Sequence, residues 1–89
     1  MFNRHKFTAR RIALGMTVEG LAQQLQVSPS TIYRWESGST CPSLSTLVPA
    51  SRILCTSLLT LIDEDDSEWQ NVAKAIDSMN NTDKENRHA

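Results

Sequence analysis

The chain has 89 residues, 39% of them apolar and 21% charged, with a formal net charge of −1. A chain of this length makes one small domain with a modest core, and its apolar runs fall far short of the ~20 residues that span a bilayer. The near-neutral total conceals an asymmetry: through Ile62 six basic residues face two acids, a net of +4, whereas from Asp63 onward eight acids face three bases, a net of −5. A basic body suits a polyanionic partner, with the acidic end directed away from it; charged ends also serve solubility.

The opening MFNRHKFTARR is basic but no apolar stretch follows, so it is not read as a signal peptide, and a cytoplasmic location is expected. Cys41 and Cys55 have neither CxxC spacing nor clustered histidines and are expected as reduced thiols, Cys41 in a loop and Cys55 as a small core residue among Leu54, Leu58 and Leu59.

A first helix is predicted from about Arg4 to Leu14, with an apolar stripe at Phe7, Arg11, Ile12 and Leu14, stopped by Gly15. Thr17 caps a second helix over Val18 to Leu25, whose Val18, Leu21, Ala22 and Leu25 share one face while Gln23 and Gln24 point to solvent. The corner Gln26-Val27 leads to Ser28 as N-cap and Pro29 at the first helical position, where its missing N–H costs nothing. The third helix then runs from Pro29 to about Ser37, with Ile32 and Trp35 inward and Gly38 at its end. Ser43 caps a fourth helix over Leu44 to Leu54 that turns Leu44, Leu47, Ser51 and Leu54 inward, and Pro49 inside it predicts a kink or an early break. Ser57 opens a short fifth helix with Leu58, Leu59, Leu61 and Ile62. After the acidic hinge 63–66, a capping box of Ser67 and Gln70 opens a sixth helix from about Glu68 to Met79. Residues 1–63 thus form the domain, 64–80 a C-terminal helix, and 81–89 a polar tail expected to be disordered.

Residues 21–38, LAQQLQVSPSTIYRWESG, have the form of a helix-turn-helix, whose second helix enters the DNA major groove. From about Phe7 to Ile62 the chain resembles the phage-repressor and Cro type of helix-turn-helix domain. The marks are Arg11, Gly15, Leu21-Ala22, Val27-Ser28, Ile32, Trp35-Glu36, Gly38, Pro42, Leu44, Leu47 and Leu54. The resemblance implies an all-α fold, a compact five-helix lambda-repressor-like bundle, here followed by the sixth helix. It implies a homodimer on a two-fold symmetric double-stranded DNA operator. It also pairs Arg11 with Glu36, joining the first helix to the end of the third. Two positions depart from the pattern: Val18 where a phosphate-touching Gln is common, and Gln26 where the corner often has Gly.

Arg34 is the leading candidate for base readout, since a guanidinium binds the O6 and N7 edge of guanine in bidentate fashion. Ser30 and Thr31 suit base edges, a thymine methyl or phosphate, and Pro29 offers only van der Waals contact. Thr17, Ser28, Ser39, Thr40 and Ser43 stand at helix ends, where free N–H groups favour phosphate; Tyr33 is read either as a phosphate contact or as a rim aromatic. Arg4, Lys6 and Arg10 are expected to add positive charge. In the sixth helix, Trp69, Val72, Ile76 and Met79 form a stripe read as a dimerisation seam, the alternative being that it folds back on its own core.

The expected function is sequence-specific transcriptional regulation, as a repressor. The alternatives are the DNA-binding antitoxin of a toxin–antitoxin pair, with a protein partner held by the C-terminal tail, and an interaction module that has lost DNA binding. No convergent set of acid, base and nucleophile suggests an enzyme, no ligand cluster suggests a metal, and no cofactor is expected.

Overall fold

The computed structural model describes residues 2–88, and side chains as far as Met79; the disordered tail expected over 81–89 lies outside those described side chains. The elements in order are α1 (Arg4–Ala13), α2 (Val18–Leu25), α3 (Pro29–Ser37), α4 (Leu44–Ile53), a 3-10 turn (Leu58–Leu61) and α5 (Ser67–His88). Their starts are set by short polar side chains. Asn3, Thr17, Ser28, Ser43 and Ser57 each accept from the backbone N–H three residues on, which satisfies a donor that the first turn leaves unpaired and is worth about 1 kcal/mol per cap.

The first four helices share one way of ending. In each, a residue at positive φ lets two N–H groups close back on the last turn, the Schellman arrangement. The residues are Gly15 (φ 69°), Gln26 (φ 60°), Gly38 (φ 87°) and Cys55 (φ 53°). The closing bonds run from Met16 N to Arg11 O, Val27 N to Ala22 O, Ser39 N to Arg34 O and Thr56 N to Ser51 O. At Gln26 and Cys55 a side chain occupies backbone angles that glycine takes without steric cost.

The core joins all the elements. Phe7, Leu21, Ile32, Leu47, Leu54 and Leu58 are fully buried. Phe2, Phe7 and Trp35 stack edge to face, with ring centroids 5.3 Å and 6.1 Å apart, a favourable geometry for aromatic quadrupoles. Phe2 also bridges to Ile62, and Asn3 N bonds Leu61 O at 2.8 Å, so the segment before α1 is fastened beside the end of the 3-10 turn.

Several expectations are corrected. The fifth helix is a single 3-10 turn, capped by Ser57, and the carboxylate of Asp77 in α5 also accepts from Leu58 N and Leu59 N at its start. On α1 only Phe7 is fully buried; Ile12 is 62% exposed and Leu14 is also exposed, since the helix turns Arg10 and Arg11 toward other elements. Helix α4 runs unbroken through Pro49. The bond lost by the proline would have gone to the carbonyl of Ser45, and both residues lie on the exposed side of the helix. Leu44 is only half-buried, whereas Leu47, Ser51 and Leu54 are buried. Cys55 is exposed and takes the turn position that ends α4 instead of a core site; both cysteines are free thiols. Asp66, not Ser67, caps α5 by accepting from Trp69 N, while the amide of Gln70 donates to Asp63 O at 2.9 Å.

Candidate nucleic-acid interface

Helix α3 is held by its inner face, on Ile32 and Trp35. Glu36, at the inner edge, accepts from Arg11 Nε at 2.7 Å and from Arg11 Nη2 at 3.0 Å. The two side chains are only 14% and 13% exposed, and Arg11 also donates to Met16 O at 2.9 Å. The hydrogen bond to Glu36 raises the Arg11 pKa further, against the opposing effect of burial. Arg11 thus ties α1, the turn after it and the end of α3 into one unit.

With that face fixed, Pro29, Ser30, Tyr33, Arg34 and Ser37 are presented to solvent, and Thr31 is half-exposed. Arg34 makes no side-chain hydrogen bond or ion pair with the described residues, so its five donors are open. Thr31 shares a hydroxyl–hydroxyl bond of 3.0 Å with Ser28. Beyond the helix, Ser39 bonds Ser37 hydroxyl to hydroxyl at 3.0 Å, and the N–H of Thr40 reaches Arg34 O. Ser43 shares its hydroxyl with Ser45 and Thr46, each at 3.0 Å. Thr17, Ser28 and Ser43 are all exposed caps. A hydroxyl that accepts a capping bond still has a proton to donate and a second lone pair, so capping leaves it able to meet an anion.

Tyr33 is 53% exposed, and its hydroxyl donates to Glu19 Oε1 at 3.1 Å. Glu19 was not among the residues singled out from the sequence; its partner lies 14 positions away on another helix, a separation that no local pattern signals. The hydrogen bond to this carboxylate, and its charge, hold the phenol above the usual tyrosine range.

The cations of α1 are in part engaged within the fold. Arg10 donates to Leu54 O at 2.7 Å and to Cys55 O at 3.1 Å, closing the C-terminus of α4, and Arg4 donates to Glu36 O at 3.0 Å, closing that of α3. Both use the preference of the helix C-terminus for cations. Lys6 lies 3.7 Å from Glu64, an exposed pair.

Helix α5 divides the four residues expected at a seam. Trp69 and Ile76 pack against the chain's own core around the fully buried Ala73, whereas Val72 and Met79 face solvent. The 3.6-residue period explains the split: 69, 73 and 76 lie on one side, 72 and 79 on another. Among the described residues no helix is long and apolar enough to cross a membrane.

A capped helix, a tight corner and a second helix with an exposed polar face, braced from behind by a third, define a DNA-binding helix-turn-helix. The helix-turn-helix family model matches residues 8–61, and the chain belongs to that family, of the phage-repressor and Cro type; it is a DNA-binding transcriptional regulator. No curated protein sequence matches it. Among solved structures it is similar to one chain of the SinR protein/SinI protein complex, at 24% identity, covering 97% of this chain and 98% of that chain with a TM-score of 0.63. That likeness bears on the fold alone.

Proposed function

We propose that the protein is a cytoplasmic repressor that binds a two-fold symmetric operator as a homodimer and blocks transcription by occupying the site. The observation that carries this reading is the open guanidinium of Arg34 on the exposed face of α3, flanked by the exposed capped starts of α2, α3 and α4. In this reading Pro29, Ser30, Thr31 and Arg34 meet base edges, with Arg34 on a guanine. Thr17, Ser28, Ser39, Thr40 and Ser43 meet phosphates and set the register without reading sequence, whereas Tyr33, whose one phenolic proton goes to Glu19, meets the DNA through its ring. Pairing of two copies falls to the outer face of α5, through Val72 and Met79, with Trp69 and Ile76 holding that helix on the domain.

Selection from a random duplex pool tests the reading. A symmetric consensus with half-sites ~34 Å apart supports a dimer on one face of the DNA. Absence of enrichment overturns the operator reading, and a single unpaired half-site overturns the dimer.

A further inference from the structure

Glu19 lies in the first turn of α2, two positions after Thr17, and Tyr33 lies in the middle of α3. Both are exposed, and the 3.1 Å bond from the phenol to the carboxylate ties the two helices of the motif together on their solvent side. Helical periodicity sets Tyr33 beside Ser30, Arg34 and Ser37 on the exposed face of α3. The carboxylate is therefore on the side that the proposed reading turns toward phosphate.

Nothing nearby cancels its charge by contact. Arg11 feels the fields of both Glu19 and Tyr33, but its hydrogen bonds go to Glu36 and to Met16 O. Glu19 forms no ion pair with the described residues; its side chain accepts from Tyr33. A negative charge on a DNA-facing surface weakens binding to any sequence, because the phosphate term is independent of sequence. In return, the carboxylate removes the torsional freedom of an exposed aromatic side chain, which stands among the residues assigned to bases and phosphates.

We infer that Glu19 is a positioning residue for DNA recognition. It fixes the Tyr33 phenol in the interface, and its uncompensated charge lowers affinity for all DNA, so that the pair raises discrimination while weakening non-specific binding. This rests on the operator reading above and adds to it a residue and a division of roles.

The test uses the full chain and four variants: Glu19→Gln, Glu19→Ala, Tyr33→Phe, and Glu19→Ala combined with Tyr33→Phe. Affinity is measured by fluorescence anisotropy on the selected operator and on a scrambled duplex of equal length, at low and high salt. Glu19→Gln keeps an acceptor for the phenol and removes the charge. It is expected to tighten both duplexes equally, by about 5-fold at low salt and less at high salt, leaving their ratio unchanged. Glu19→Ala is expected to tighten the scrambled duplex as much, yet lower the operator-to-scrambled ratio by about 5-fold, the scale of one hydrogen-bonded contact. Tyr33→Phe lowers the ratio similarly, and the double variant no further than either single. If Glu19→Gln leaves both affinities unchanged at low salt, the carboxylate does not face DNA. If the ratio losses multiply in the double variant, the pair does not act as a unit. Either result overturns the inference while the operator reading stands. A wild-type chain that does not distinguish the two duplexes overturns both.

Discussion

Replacing Arg11 by Met removes the donor set that joins α1 to the end of α3 while keeping a side chain of similar length against the same surface. The Glu36 carboxylate, 13% exposed, loses bonds of 2.7 Å and 3.0 Å, and Met16 O loses one of 2.9 Å. Removing one partner of a buried pair costs about 3–5 kcal/mol, because the remaining charge is left without compensation. Residual exposure of both groups favours the lower end, about 3 kcal/mol. In a domain of this size each kcal/mol shifts the melting temperature by about 4–8 °C, so the variant is expected to melt about 12–24 °C lower. Replacing both residues, Arg11→Met with Glu36→Met, removes the stranded charge and is expected to recover much of that loss. Urea unfolding followed by far-ultraviolet circular dichroism measures both changes. A single-variant loss under about 1 kcal/mol, the scale of an exposed surface pair, refutes the reasoning. So does a double variant less stable than Arg11→Met.

Arg10→Ala is expected to lower stability by about 1–2 kcal/mol, through two lost bonds at the end of α4, with no change in the salt dependence of DNA binding; a shallower salt slope would mean that Arg10 contacts phosphate. Asp77→Ala leaves Leu58 N and Leu59 N without their acceptor and is expected to cost about 1–3 kcal/mol, with faster amide exchange at both positions. The chain has one tyrosine, so its absorbance titration reports Tyr33 directly. Ionisation would place an anion beside Glu19, so the titration is expected above the ordinary phenol range, and Glu19→Ala is expected to bring it down.

The helix-turn-helix was legible because its boundaries are written locally. Thr17, Ser28-Pro29 and Gly38 fix the limits of α2 and α3, and Ile32 and Trp35 mark the inner face of α3. What sequence reading missed depends on residues far apart in the chain. Cys55 looks like a core residue among leucines until Arg10, 45 positions earlier, is seen bonded to its carbonyl, with its backbone at positive φ. The start of the turn at Leu58 is bonded by Asp77, 19 positions later, and Tyr33 acquires its partner from α2. Composition counted Arg4 and Arg10 as positive charge; the fold shows in addition that their guanidinium groups close helix ends. In α5 the periodicity identified a helix, but a stripe that includes 69, 72, 76 and 79 is wider than the contact with the domain, and only the fold shows which side of it is covered.

The central claim, sequence reading by the exposed face of α3, is tested most directly by running the random-pool selection on the wild type and Arg34→Ala in parallel. Arg34 is exposed and makes no side-chain bond with the described residues, so the variant is expected to fold normally. The account predicts that the variant loses preference for one guanine in each half-site, worth about 1–3 kcal/mol, while the rest of the symmetric consensus persists. An unchanged consensus from Arg34→Ala would contradict it.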